Sequence, residues 1–429
     1  MNQLLAIPLE VRLLAIFVLG ACLGGLANLA TYRLAWHPRP ISPWSRPASQ
    51  APPRRFGDRF PIVGWFGLRR EAAIHGTGFW IRPMLVELLL GWGLAAFYWW
   101  EIGCGGLLPM EGPPPLALGL QTVLHGQFAA HALLVWLMVV ASMIDLDEKI
   151  IPDAITVPGT LLGLLLATAV PWSLLPHLLV PVDRTIPPEF WQSVSPDRWP
   201  FLRLTSPNEW PVWLGGAPHC RSLAVGLGCW WLWCVALMPR TWYPRHGWRR
   251  AWRLSIARLV REPVTYAILA MGLVGSLVIT AVWFWGELRW VGLLSALVGM
   301  AAAGGLVWMV RIIGSAALRR EAMGFGDVTL MAMIGTFLGW QACPVVFFLA
   351  PFAALVVGVS QWVLRRDNEI PYGPYLCLAA VVLIARWPAI WDWLAPFFIG
   401  WLVPAMVLCC LALLGLMLAL WQRIREACG

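Results

Sequence analysis

Residues 128–153 read FAAHALLVWLMVVASMIDLDEKIIPD, an apolar run that ends abruptly in four carboxylates and a lysine. With the residues before it the run covers 117–144, more than the roughly 20 residues a helix needs to cross a bilayer. Ten further apolar segments surround it: 11–31, 84–100, 154–181, 222–239, 264–286, 291–314, 328–342, 344–364, 375–387 and 397–421. Segments 328–342 and 375–387 are short, as tilted or re-entrant helices are. The first segment lacks a small-residue cleavage site and reads as a retained anchor. The fold expected is all-α: a polytopic integral membrane protein with about 8–11 transmembrane helices.

Composition agrees. Of 429 residues, 59% are hydrophobic and 12% charged, with a mean hydropathy of +0.70; soluble domains carry about 25% charged residues. A soluble globule, a disordered chain and a disulfide-stapled secreted protein are excluded. None of the ten cysteines falls in a C-x-x-C pair, and most lie in apolar runs, where a thiol behaves as a small hydrophobe. The thirty tryptophans suit interfacial belts.

The net charge of +9 has a membrane explanation. Loops 32–83, 145–153, 240–263, 315–327, 365–374 and the tail after 421, with Arg311 at a helix end, hold the basic residues; only Arg12, Arg184, Arg198, Arg203, Arg221, Arg289 and Arg386 fall on the other side. By the positive-inside rule the first group faces the cytoplasm and the N-terminus lies outside. Nucleic acid is not an expected partner. Membrane lipid is: the run from Arg240 to Arg261, interleaved with Trp248 and Trp252, has the pattern of an amphipathic helix on anionic lipid.

An acid at a membrane boundary in so apolar a chain needs a reason. Asp145 closes the third segment, with Asp147, Glu148, Lys149 and Asp153 just beyond. Gly324-Phe325-Gly326-Asp327 opens the eighth. Four spans separate Asp145 from Asp327, an even number, so both return to one side at one depth. Two carboxylates at one site cannot both ionise cheaply. One then serves as general base on a water and the other, protonated, donates to a carbonyl, with no metal or nucleophilic side chain required. Gly324 and Gly326 would let backbone approach a substrate or the partner acid. Taken singly, both clusters also suit plain solvated turns.

In these motifs the chain resembles the type IV prepilin peptidases, the bacterial branch of the GxGD intramembrane aspartyl proteases. Asp145 with Ile151-Pro152-Asp153 and Leu161 is similar to the family's first-aspartate segment. Glu321 to Asp327 with Leu330, Gly335 and Leu338-Gly339-Trp340 is similar to its second. Ile370-Pro371-Tyr372-Gly373-Pro374-Tyr375-Leu376 resembles its Pro-Phe-Gly-Pro turn. Asn28, Tyr32-Arg33, Phe60 to Trp65 and Leu85 to Leu89 resemble its amino-terminal domain. The likeness covers roughly residues 15–175 and 290–390.

The resemblance implies cleavage of the basic leader of type IV prepilins or type II secretion pseudopilins after a Gly, at the cytoplasmic side of the inner membrane. It implies Asp145 and Asp327 as the catalytic pair, supported by Gly324 and Gly326, with Lys149 positioning the leader or neutralising the site. Asp147 and Asp153 are the alternative acids. Many members also methylate the new amino terminus with S-adenosylmethionine and carry two C-x-x-C pairs in the loop after the first helix. Loop 33–82 here has no cysteine. Zinc is therefore not expected, proteolysis calls for no cofactor, and methyl transfer is expected to be weak or absent, although Asn28, Arg33 and Glu87 still match. The expected organisation is an anchor and Pro/Arg-rich loop over 1–110, a protease core over 111–181 and 291–390, a Trp/Arg-rich insertion with two extra spans over 182–290, and a last helix over 391–429.

Two other readings compete. An ion- or proton-coupled transporter using Asp145 and Asp327 would also place acids in a membrane. It would call for repeats with broken helices in corresponding halves, and the sequence has no such repeat. A presenilin-like protease would have Tyr where Ile144 stands and Pro-Ala-Leu in place of the 371–374 turn. Sequence leaves the substrate and the oligomeric state open.

Overall fold

The computed structural model describes residues 2–48, 50–108, 117–178, 202–206, 219–238, 261–318, 321–365, 371–398 and 402–428, with Pro114, Trp210, Leu214, Ala257 and Gly400 as isolated positions. The chain is a helical membrane bundle. In order the main helices are α1 (Leu9–Leu34), α2 (Ile81–Tyr98), α3 (Leu118–Glu148), α4 (Asp153–Ala169), α5 (Cys220–Leu237), α6 (Pro263–Trp285), α7 (Glu287–Leu318), α8 (Phe325–Leu338), α9 (Ala342–Arg365), α10 (Gly373–Ala385), α11 (Trp387–Leu394) and α12 (Leu402–Cys428). A two-residue antiparallel pair, His177–Leu178 with Leu202–Arg203, is the sole sheet among the described residues.

Each of the eleven apolar segments carries a helix, but they differ in reach. Seven helices among the described residues are long and apolar enough to cross a membrane, or eight if α10 and its continuation are one bent span. Segment 154–181 is helical only to Ala169. Pro171 begins a separate short turn there, because its ring cannot continue the helix. α10 breaks at Arg386 and turns by 85° into α11. Trp387 and Trp391 hold that elbow, stacked on each other, with the Trp387 indole N–H donating 2.7 Å to the Pro176 carbonyl.

The middle of the bundle is α8. Every residue from Asp327 to Leu338 is buried, enclosed by α3, α4, α7, α9 and α10. A helix apolar all round belongs in a core or in lipid, and here other helices enclose it. α5 and α6 form a satellite layer with α7 around Trp230, Trp283 and Trp290, and the Trp230 indole donates to the Gly272 carbonyl at 2.9 Å. The Arg240 to Arg261 run lies almost wholly outside the described residues.

The loop between α1 and α2 folds without cysteine. α1 and α2 run close because Gly24 offers no Cβ: one would sit 2.5 Å from the Glu87 Cα. Beyond them, buried Arg54 forks onto buried Glu71 with two bonds of 3.0 Å, and also donates to the carbonyls of Pro40 and Ser45 at 2.8 Å. One guanidinium thus ties the Pro-rich half of the loop to its helical half. Asp58 is buried too. Burial opposes its ionisation, but Arg70 and the backbone N–H of Arg55 outweigh that and hold its carboxyl below the usual range. Glu71→Gln leaves the Arg54 charge buried without its partner. We expect a loss of about 3–5 kcal/mol in local stability, read as faster hydrogen exchange over residues 40–71 with α3 and α8 unchanged.

Candidate active site

Asp145 lies in the last turn of α3 and Asp327 in the first turn of α8; both are buried. Their charges act on each other across the gap between the two helices. α8 starts where it does because Gly324 is extended at its N-cap. Arg311 of α7 braces the turn before it, donating to the Met323 carbonyl at 2.9 Å and pairing with Glu321. The backbone amide of Gly324 faces the Asp327 carboxylate.

Close backbone approach brings the two segments together. A Cβ on Gly326 would meet the Ile151 Cβ at 2.8 Å and its carbonyl oxygen at 3.1 Å, so the Gly-x-Gly-Asp turn rests directly on the strand of chain that follows Asp145. Gly373, the first residue of α10, closes the site from a third side. A Cβ there would lie 2.6 Å from Asp145 Oδ2 and 2.8 Å from Ile151 Cδ1. The Gly373 amide faces the Asp145 carboxylate, while Oδ2 is buried with no hydrogen-bond partner. A buried acceptor of that kind is costly, and it marks a position where a further donor would bind.

The other acids are placed elsewhere. Asp147, two residues on, points to a different side of α3 and pairs with Arg82 of α2 and, at 3.5 Å, Arg39. Glu148 accepts the backbone N–H groups of Trp36 and His37, the latter at 3.0 Å. These two acids clamp the loop to the end of α3. Asp153 is exposed at the start of α4. Lys149 takes a left-handed conformation, φ 59°, and its N–H closes α3 on the Asp145 carbonyl at 2.8 Å, while its side chain is exposed.

Two neighbours were not singled out from sequence. Cys377 is one turn beyond Gly373, within electrostatic reach of both carboxylates and bonded to Ser142 of α3. Its i, i+4 relation to Gly373 was the available signal. Tyr372 feels the charge of Asp327, and its hydroxyl donates to the Phe347 carbonyl of α9 at 3.4 Å.

The residues that match the family's amino-terminal domain serve packing. Asn28 donates to the Pro83 carbonyl at 2.9 Å and to Glu87 Oε1 at 3.2 Å, and Glu87 Oε2 takes the Ile62 N–H at 2.6 Å. Arg33 is exposed. Among the described residues, no three metal-ligating side chains of His, Cys, Asp or Glu converge.

A buried pair of carboxylates, one on a Gly-x-Gly-Asp turn, at one end of a polytopic helical bundle is thus the class of site this fold carries. Residues 256–359, which include that turn, match the type IV leader peptidase family, so the chain contains a domain of that family. The match begins within the 182–290 stretch. A prepilin leader peptidase/N-methyltransferase of Pseudomonas putida is 29% identical over 153 residues, 31% of this chain and 52% of that protein. Proteins of the same name are 31% identical over 103 residues in Aeromonas salmonicida (strain A449), 23% of this chain and 34% of that one, and 32% identical over 126 residues in Pectobacterium carotovorum subsp. carotovorum, 29% and 42%. The chain spans about half or less of the length of these relatives. No solved structure matches it.

Proposed function

We propose that this protein is a membrane aspartyl endopeptidase that removes the leader of type IV prepilins or type II secretion pseudopilins, cutting after Gly, with its site at the cytoplasmic face of the inner membrane. The observation that carries the reading is the convergence of Asp145 and Asp327, 182 residues apart in the sequence, both buried at one end of the bundle and within electrostatic reach of each other. The ionised member takes a proton from water as the oxygen attacks the scissile carbonyl. The protonated member donates to the carbonyl oxygen as its π bond breaks. The tetrahedral intermediate then collapses, the C–N bond breaks, and the dyad returns a proton to the leaving amine. Gly373 and Gly324 hold the acids from the backbone side. The test is incubation of the purified full-length protein in detergent with a synthetic prepilin. A new amino terminus directly after the leader Gly supports the assignment; an intact substrate overturns it.

The relatives' names join this activity to N-methyltransfer. Methylation would draw on S-adenosylmethionine, but Asn28 and Glu87 are spent on each other and on the backbone of Pro83 and Ile62, and Arg33 is exposed. They do not form a ready donor set for it. We therefore expect mass spectrometry of the mature product to find an unmodified amino terminus, and EDTA to leave the cleavage rate unchanged. A stoichiometric methyl group, or inhibition reversed specifically by zinc, would overturn this expectation.

A further inference from the structure

The turn at residues 56–69 carries large apolar side chains on its outside: Phe56, Phe60, Val63 and Phe66 are 75%, 56%, 68% and 49% exposed. Isolated exposed hydrophobes are ordinary, but a run of this size on one short turn marks a contact surface. Its depth is set by a hydrogen bond. Ile62, held at φ 63°, donates its N–H to Glu87 Oε2. Glu87 lies five residues down α2 from Arg82, about 7.5 Å at the helical rise. Arg82 itself pairs with Asp147 in the last turn of α3, where the apolar run of that helix ends. The turn therefore dips past the polar boundary and runs alongside the helices, instead of standing off in solvent.

Its charge chooses the partner. Arg55, Arg59 and Arg69 are exposed, whereas the acids of the same stretch, Asp58 and Glu71, are buried and taken by Arg70 and Arg54. The guanidinium of Arg69 lies over Trp80 at 4.0 Å and Phe66 at 4.7 Å, and that of Arg59 over Trp44 at 5.5 Å. The outer face is thus apolar at its tip and cationic at its collar. A basic peptide is repelled by such a collar. An anionic leaflet fits both parts: acyl chains meet the rings, and headgroup phosphates meet planar guanidinium forks.

We propose that residues 56–69 form a membrane-inserted wedge, with Phe60, Val63 and Phe66 in the acyl boundary of the leaflet on the Asp145 side and Arg59 and Arg69 on anionic phospholipid headgroups. The expected insertion agrees with the 5–10 Å typical of interfacial apolar faces. Because Asp147 and Glu148 clamp the same loop to α3, the wedge fixes the end of the helix that carries Asp145 against the membrane surface.

The test needs no cleavage assay. Photoreactive benzoylphenylalanine is placed at Val63, at Phe60 or at Phe66 of the full-length protein, and at exposed Gln50 as a control. Each variant is reconstituted in nanodiscs of phosphatidylglycerol and phosphatidylethanolamine, or of phosphatidylcholine alone. Variants whose thermal unfolding matches the parent are irradiated and analysed by mass spectrometry. Lipid adducts at positions 60, 63 and 66 that exceed the Gln50 control several-fold support the wedge. Arg59→Gln with Arg69→Gln should lower the yield in phosphatidylglycerol to that in phosphatidylcholine. Adduct yields equal to the control at all three positions, or adducts to protein alone, would overturn the proposal. A preference for phosphatidylglycerol that survives the double substitution would overturn the role of the arginines.

Discussion

Asp145→Asn and Asp327→Asn should each reduce leader cleavage by on the order of 10⁴-fold while the protein still inserts and folds. Asn is nearly isosteric with Asp, so the close packing of Gly326 on Ile151 and of Gly373 on Asp145 survives. What is lost is the proton the two carboxylates share. An amide can neither take it from water nor pass it to the carbonyl oxygen, so either substitution disables both halves of the reaction. The double variant should therefore be no slower than either single one, since groups that act as a unit are not additive. Substrate cleavage by the purified variants, followed over a long time course, is the measurement. Full activity of either single variant would refute the dyad. Asp147→Asn and Asp153→Asn should keep measurable activity, because Asp147 is engaged with Arg82 and Arg39 and Asp153 is exposed.

Gly373→Ala is expected to cost about 10²-fold in kcat, the scale of a displacement near 1 Å in a reacting group. The added methyl would lie 2.6 Å from Asp145 Oδ2 and 2.8 Å from Ile151 Cδ1, and the flexible member of that contact is the carboxylate. The side chain swings away and the distance between the acids changes. KM should move little, because substrate binding does not depend on this contact. A variant with normal kcat would mean that Oδ2 plays no part in water activation. Gly326→Ala should be worse for folding, since its methyl would meet the Ile151 backbone, which has less freedom to move.

The acid pair was legible in the sequence because its logic is topological. An even number of spans between Asp145 and Asp327 returns both to one side, and within α3 a two-residue step turns Asp147 away from the face that Asp145 occupies. Gly373 was legible only through the resemblance of the 370–376 turn, since nothing in a Pro-Tyr-Gly-Pro run declares that it rests on a carboxylate more than two hundred residues earlier. The Arg54–Glu71 fork was not legible at all. It joins two points of an irregular loop with no period to relate them. Segment 154–181 misled for a simpler reason: Pro171, Trp172, Leu174 and Leu175 continue the apolar composition after the helix has ended.

Hydrolysis consumes a water molecule, and hydrocarbon holds none. α8 has 14 residues and α10 has 13, so each extends only about 20 Å against a slab of roughly 30 Å. Both start at the acid pair; α8 is walled in by longer helices, whereas one face of α10 is exposed at Leu378 and Val382. The shortfall of α8 therefore falls inside the protein, and the surrounding bilayer does not have to thin there. A substrate helix cannot present its middle to so enclosed a pair, because its backbone is already paired there. It must offer an end that has unwound. The stiffness of the few residues around the scissile Gly should then govern the rate, and the length of the apolar segment beyond them should hardly matter.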